Sequence, residues 1–138
     1  MPHSEAKPIN HIDEQDILKQ ELYGHLDDYQ RAATKSAIYP DKGYPGGLVY
    51  CALKLNGEAG ELAEHVGKAM RDDHFMVRET LTDERTTAIV KEIGDVLWYL
   101  SAICNELGIT LNEAAVTNLR KLADRQARGV QRGSGDKR

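Results

Sequence analysis

The most regular segment of the chain is LVYCALKLNGEAGELAEHVGKA, residues 48–69. Its apolar residues recur at alternating steps of four and three, the spacing of a helical seam that packs against another helix. The first seam consists of Leu48, Ala52, Leu55, Ala59, Leu62, Val66 and Ala69. A second seam consists of Ile89, Ile93, Val96, Leu100, Ile103 and Leu107. These seams predict a pair of long helices that pack against other helices.

Shorter helical patterns flank the long ones. A first helix is predicted from about Gln15 to about Ser36. The last helix is predicted to begin at Thr110, which forms a capping-box pattern with Glu113, and to end at Gly129. Because no strand-like alternation of useful length occurs, the predicted fold class is all-α, a helical bundle of about four main helices. Seams of this length on a small chain also predict that oligomerisation completes the bundle.

Composition limits the classes of protein that fit. With 138 residues the chain is expected to form a single domain. Its net charge of −4 argues against a nucleic acid polymer as the main partner. There is no apolar run long enough to cross a bilayer and no pattern typical of a signal peptide, so no membrane partner is expected. Cys51 and Cys104 lie in apolar helical patterns and are predicted to be reduced core residues of a cytoplasmic protein.

The predicted domain organisation has three parts. Residues 1–13 are polar and are expected to form a flexible N-terminal segment. Residues 14–129 contain the helical patterns and form the helical domain. Residues 130–138 form a glycine-rich C-terminal tail that is expected to be flexible.

An acidic motif occurs on each long helix. Glu58 and Glu61 are three residues apart, and so are Glu92 and Asp95. Carboxylates at i and i+3 share one face of a helix, and each of these immediately precedes a seam residue. Both pairs are therefore expected to face a common groove at the edge of the core. Close carboxylates repel each other unless a positive charge lies among them, and Mg²⁺ is the natural hard cation for oxygen ligands.

Glycines accompany both acidic pairs. Gly57, Gly60 and Gly94 lie inside predicted helices, where each costs about 1 kcal/mol relative to alanine. Glycines at such positions predict that another backbone or a ligand approaches closely. For a lone Glu-x-x-Glu, a solvated helix surface is the ordinary interpretation. The matched, glycine-bearing copies favour a metal site.

A basic stripe follows one face of the last predicted helix. It consists of Asn118, Lys121, Arg125 and Arg128, at steps of three, four and three. Lysine binds phosphate as a point charge, and arginine can bind it through two parallel hydrogen bonds. An acidic metal cluster together with a basic stripe suits a polyphosphate substrate. Ion pairing with surface carboxylates is the alternative interpretation of the stripe.

In combination, these motifs resemble the MazG-like, all-α nucleotide pyrophosphohydrolase superfamily. The resemblance extends from about Tyr29 to the C-terminus and is carried by Tyr29-Gln30, Gly57–Leu62, Lys68 with Arg71-Asp72, Glu92–Leu100, Asn118–Gly129 and Gly133–Arg138. It implies that a nucleoside triphosphate is hydrolysed to the monophosphate and pyrophosphate, for removal of unusual or surplus nucleotides. It also implies Mg²⁺, with Mn²⁺ as a substitute, on the motif acids Glu58, Glu61, Glu92 and Asp95. Family members form dimers or dimers of dimers, in which a neighbouring subunit completes the substrate pocket.

The 30 residues between Glu61 and Glu92 are at or slightly beyond the usual gap of the family, so a longer loop after Arg71 is expected. Within the predicted mechanism, Glu58 or Glu61 accepts the proton of the attacking water. The candidate substrate-binding residues are Asn118, Lys121, Arg125, Arg128, Lys54 and Trp98.

Several of these candidates have a second interpretation. Trp98 and its neighbour Tyr99 either border the nucleotide base or pack in the core. Lys54 either contacts phosphate or pairs with Glu58. His65 follows Glu61 by four residues on the same stripe, and a place on the helix surface is favoured over one beside the metal ligands.

Other functions use the same features differently. A non-catalytic nucleotide sensor would use the same acidic metal groove and the same residues. A helical assembly module would need neither the basic stripe nor the C-terminal tail. A di-iron bundle would need glutamate with histidine at i+3, and no glutamate in this chain has one.

Overall fold

The computed structural model describes residues 26–135, and the regular structure within this range is helical. The helices are α1 (Leu26–Thr34), α2 (Pro45–Asp72), α3 (Phe75–Arg78), α4 (Asp83–Leu107) and α5 (Leu111–Ala127). Because the described range contains no strand, the predicted all-α class is confirmed. The predicted first helix ends at Thr34 rather than Ser36, and its beginning near Gln15 lies outside the described residues.

A hairpin of α2 and α4 forms the body of the fold. These helices have 28 and 25 residues, and they pack on one another. The connection between them contains the four-residue α3, which the sequence patterns did not predict. Helix α1 packs on α4 and α5. Within residues 26–135, the Cα atoms of α5 come within 8 Å of α1 and α4 but not of α2.

Each apolar seam is covered along only one of its two rows. In α2, Ala69 is buried and Leu48, Leu55 and Leu62 are half-buried, whereas Ala52, Ala59 and Val66 are exposed. In α4, Ile89, Val96 and Ile103 are half-buried, whereas Ile93, Leu100 and Leu107 are 50%, 38% and 54% exposed. Alternate seam members therefore face the hairpin interface, and the others form an outer apolar row on each helix.

Two helix boundaries have the capping residues that the sequence predicts, whereas α5 ends at Ala127, before the predicted Gly129. Gly108 ends α4 in the left-handed region, with φ 66°. The hydroxyl of Thr110 accepts a hydrogen bond from the backbone N–H of Glu113 at 3.0 Å. The carboxylate of Glu113 accepts one from the backbone N–H of Thr110 at 2.6 Å. The predicted capping box at the start of α5 is therefore confirmed.

The aromatic core lies beneath the loop that joins α1 to α2. Its buried members are Ala37, Tyr39, Cys51 and Ala102. Glu106 of α4 holds this loop, because its carboxylate accepts hydrogen bonds from the Tyr39 hydroxyl at 2.5 Å and from the Gly43 N–H at 3.1 Å. Both cysteines are buried and unpaired, in agreement with the prediction.

The side chain of Gln30 fixes α1 against the turn between α4 and α5. Its amide nitrogen donates to Asn105 Oδ1 at 2.8 Å and to the carbonyl of Ile109 at 3.0 Å. Its amide oxygen accepts from the N–H of Leu111 at 2.6 Å. A buried amide with all these partners holds three helices in one arrangement. No helix in residues 26–135 has the length and apolar character needed to span a membrane.

Candidate metal and substrate site

Three carboxylates converge where α2 and α4 face each other. One oxygen from each of Glu58, Glu61 and Glu92 lies within 4.8 Å of the others. The side chains of Glu58 and Glu92 are only 13% and 14% exposed, whereas Glu61 is exposed. An all-oxygen, anionic donor set of this kind fits a hard divalent cation. The predicted convergence of the acidic pairs across the hairpin is therefore observed for these members.

Asp95 lies one turn beyond Glu92 on α4 and is exposed. It does not belong to the group of oxygens within 4.8 Å of one another. Burial and, as the second cause, the charge of Asp95 raise the pKa of Tyr29 on α1. Asp95 is therefore near enough to Tyr29 for its charge to act on that hydroxyl, and it lies one helical turn from Glu92.

Nitrogen-bearing side chains adjoin the carboxylate group from both directions along α2. Lys54 Nζ is 3.4 Å from Glu58 Oε1, and this contact raises the pKa of Lys54. His65 Nε2 is 3.6 Å from Glu92 Oε1 on the facing helix. The favoured prediction of a surface position for His65 is therefore wrong, because α4 covers it and leaves only 28% of its side chain exposed.

Sequence reasoning did not identify Arg85. Its Nη1 is 3.4 Å from His65 Nδ1, and its Nε donates to Asp73 Oδ2 at 2.8 Å. Arg85 precedes Glu92 by seven residues, or two helical turns, so the spacing alone places both on one face of α4. That spacing could have indicated that Arg85 lies on the same helix face as Glu92, but only the packing of α2 on α4 brings Arg85 to His65.

An open pocket of about 630 Å³ adjoins the carboxylate group. Glu92 and His65 form one side of it, and the N-terminal half of α4 forms the rest. Its lining consists of His65, Asp83, Glu84, Thr87, Ala88, Lys91 and Glu92. The pocket offers an open space, lined mainly by residues with polar or charged side chains, next to the acidic cluster.

The basic stripe lies on a helix that is not a neighbour of α2. Asn118 and Lys121 are exposed on α5. Arg128 pairs with Asp124 at 2.7 Å. Arg125 is buried, with 7% of its surface exposed, and its Nη2 donates to the carbonyl of Gly135 at 3.4 Å. In a single chain, the described residues therefore do not unite the stripe with the α2 carboxylates.

Trp98 packs against the aromatic core. Its indole N–H donates to Ser36 Oγ at 2.9 Å. Its ring meets Tyr39 and Tyr99 edge to face, with centroids 6.1 Å and 4.9 Å apart. These contacts fit the core-packing interpretation of Trp98 and Tyr99.

No other backbone approaches the motif glycines closely within residues 26–135, and the expected approach of a ligand stays a prediction. A Cβ built on Gly60 or Gly94 would meet nothing within 4 Å. The space beside both acidic pairs is open, so these glycines do not serve the packing of α2 on α4.

The sequence comparisons agree with this architecture. Residues 50–130 match the family model described as the MazG nucleotide pyrophosphohydrolase domain. The chain is 42% identical over 117 residues to the Gene 37 protein of Mycobacterium phage L5. The aligned region covers 83% of this chain and 99% of the phage protein. No solved structure matches the chain. The match covers α2 from Tyr50 onward, all of α4 and all of α5, and so includes both acidic pairs; the chain belongs to the MazG nucleotide pyrophosphohydrolase family.

Proposed function

We propose that the protein hydrolyses a nucleoside triphosphate to the nucleoside monophosphate and pyrophosphate, with Mg²⁺ as cofactor and Mn²⁺ as a substitute. The observation that carries this proposal is the convergence of Glu58, Glu61 and Glu92 from facing helices. Membership of the family supports the reaction class. The cellular role that follows is nucleotide-pool cleaning in the cytoplasm.

The four motif acids are the proposed ligands of the metal ion. Glu58, Glu61 and Glu92 hold it, and Asp95, one turn along α4, is the fourth ligand. When bound, the ion supplies an acidified water and neutralises phosphate oxygens. We assign the acceptance of the proton of the attacking water to Glu58 or Glu61, each of which contributes an oxygen to the cluster.

The substrate-binding residues come from two regions. Lys54, beside Glu58, reaches a phosphate at the α2 end of the groove. The proposed sugar and phosphate contacts from α5 are Asn118, Lys121, Arg125 and Arg128, of which Arg125 has to leave its contact with Gly135 to reach a phosphate. Trp98 is half-buried, and it borders the base with the surface that its core contacts leave exposed. Since α5 is not a neighbour of α2 in one chain, we assign the α5 contacts to a second copy of the chain.

We further propose that a second copy covers the outer apolar rows of α2 and α4. Exposed apolar rows of this regularity are typical of an interaction surface. The outer rows have the same helical spacing as the covered ones, so a helix of the same kind fits them. The expected assembly is a homodimer or a dimer of dimers.

The activity is tested by supplying the purified protein with Mg²⁺ and a panel of common and modified nucleoside triphosphates. We expect release of pyrophosphate rather than orthophosphate for at least one nucleotide, and none after removal of the metal with EDTA. Glu61→Gln and Asp95→Asn should each lower turnover by more than about 100-fold. Loss of a group that only supports a metal ligand costs about 10–100-fold, and loss of the ligand itself should cost more. Their circular dichroism should stay helical.

The matched control is Glu64→Gln. Glu64 lies on the same helix as Glu61 but pairs with Lys68 at the surface, so its turnover should match the wild type. Unchanged turnover in both Glu61→Gln and Asp95→Asn would contradict the metal assignment. Tight nucleotide binding without turnover across the panel would show a nucleotide sensor instead of an enzyme.

A further inference from the structure

A chain of polar contacts runs from the carboxylate cluster to the connection between α2 and α4. Glu92 Oε1 is 3.6 Å from His65 Nε2, and His65 Nδ1 is 3.4 Å from Arg85 Nη1. Arg85 Nε in turn donates to Asp73 Oδ2 at 2.8 Å. The exposed fractions of these side chains lie between 14% and 28%. All the contacts in this series are therefore partly buried.

The partners of the His65 ring determine which nitrogen carries the proton. A guanidinium group has only donors, so the nitrogen that faces Arg85 has to accept. In the neutral ring the other nitrogen then carries the hydrogen. That nitrogen is Nε2, which faces Glu92 Oε1. Arg85 thus sets the tautomer in which His65 presents a donor to Glu92.

The far end of the contact chain is anchored in the backbone. Asp73 caps the C-terminus of α2, and its N–H donates to the carbonyl of Ala69 at 3.1 Å. The N–H of Arg85 donates to the hydroxyl of Thr82, the N-cap of α4, at 3.1 Å. The Asp73–Arg85 ion pair therefore joins the C-terminus of α2 to the first turn of α4. It holds the Arg85 guanidinium in place beside the His65 ring.

We propose that His65 is a positioning residue for Glu92, and that Arg85, held by Asp73, acts through His65. The Nε2–H group lies 3.6 Å from Glu92 Oε1, so its dipole partly offsets the repulsion that Glu58 and Glu61 exert on that carboxylate and favours the orientation in which Glu92 reaches the cluster. This inference rests on the metal assignment of the proposed function. Partners that orient ligating carboxylates typically contribute 10–100-fold to metal affinity or activity.

The test measures Mn²⁺ affinity by calorimetry on the full chain without nucleotide, together with kcat and KM. The His65→Asn variant keeps an acceptor near Arg85 but loses the donor at the Nε2 position. We expect its Mn²⁺ affinity to fall about 10–100-fold. The His65→Gln variant places an amide donor near the Nε2 position, and its affinity should return to within a few-fold of wild type. His74→Asn, at the exposed N-cap of α3, is the matched control and should bind Mn²⁺ as the wild type does.

A double-mutant cycle separates positioning from general support of the fold. Arg85→Met should weaken Mn²⁺ binding, because the His65 ring is then free to place its proton on Nδ1. If Arg85 acts through His65, then adding Arg85→Met to His65→Asn causes little further loss. Additive losses would overturn the role of Arg85. Wild-type Mn²⁺ affinity in folded His65→Asn would overturn the role of His65.

The outcomes distinguish this inference from the proposed function. A wild-type protein that binds Mn²⁺ but releases no pyrophosphate contradicts the proposed function, while the calorimetric comparison still tests His65. A wild-type protein that hydrolyses nucleotides, with His65→Asn unchanged in Mn²⁺ affinity and in kcat, contradicts only the positioning role. If Arg85→Met does not fold, Arg85→Gln replaces it. The amide oxygen of glutamine can accept a hydrogen bond from Nδ1, so the tautomer of His65 is no longer set and the Mn²⁺ affinity should fall.

Discussion

Glu106 shows how much of this fold depends on a single carboxylate. It lies near the end of α4 and accepts hydrogen bonds from the Tyr39 hydroxyl and the N–H of Gly43. Hydrogen bonding to Glu106 also contributes, after burial, to raising the pKa of the Tyr39 hydroxyl. The loop between α1 and α2 is therefore held to α4 by side-chain contacts, and it places Tyr39 in the core.

Replacement of Glu106 by alanine should destabilise the protein. The change leaves the Tyr39 hydroxyl and the Gly43 N–H without their acceptor, which we expect to lower the free energy of unfolding by about 1–3 kcal/mol. Urea denaturation followed by circular dichroism measures this. Glu64→Ala removes a surface carboxylate paired with Lys68 and should change little. Equal stability of the two variants would contradict an anchoring role for Glu106.

Among the site residues, those of the acidic motifs could be predicted from their spacing in the sequence. Glu58, Glu61 and Glu92 share helix faces for reasons that are local to each helix. The contacts of His65 and Arg85 could not be predicted from spacing, because each residue meets its partner on the opposite helix. Because His65 follows Glu61 by four residues, the spacing predicts that both share one helix face. It does not predict which residues of another helix cover that face.

At the scale of elements, α5 begins with a complete capping box. This box satisfies backbone donors that the first turn of a helix leaves without partners. It also fixes where α5 leaves the turn after Gly108, and therefore how the basic stripe is presented. The stripe itself was predictable from its spacing, whereas the burial of Arg125 and its hydrogen bond to the carbonyl of Gly135 were not.

Thr110→Ala should destabilise the protein by about 1 kcal/mol, since it removes the N-cap acceptor of α5. Thr117→Ala, in the middle of the same helix and exposed, makes the same chemical change and should be neutral or slightly stabilising because alanine has the higher helix propensity. Thermal unfolding of the variants measures the difference. A loss of stability in Thr117→Ala equal to that in Thr110→Ala would show that capping is not the cause.

At the scale of the whole molecule, a single chain leaves much of its apolar surface uncovered. The outer rows of α2 and α4 are exposed, and so are Leu119 and Leu122 on α5, at 63% and 47%. The buried core of the described residues consists mainly of small side chains and aromatic contacts. Association with a second copy would remove these rows from water and add the core volume that one chain lacks.

The assembly is tested by analytical ultracentrifugation. We expect the wild type to sediment as a dimer or tetramer. The double variant Leu100→Lys with Leu107→Lys places charges in the outer row of α4 and should shift the protein towards monomer. Ile38→Lys alters a residue that is 94% exposed in the loop before α2, and it should leave the mass unchanged. A wild-type monomer at micromolar concentration would contradict the proposed assembly.

Periodicity along the chain was enough to predict the all-α class, the long helices, the capping box and the acidic pairs. These features depend on residues within a turn or two of each other, where helix geometry is known in advance. The short α3, the division of each seam into a covered and an outer row, and the contacts of His65, Arg85 and Arg125 emerged only from the folded chain. They depend on the register and rotation of one helix against another, which packing over the whole hairpin sets and no local spacing encodes.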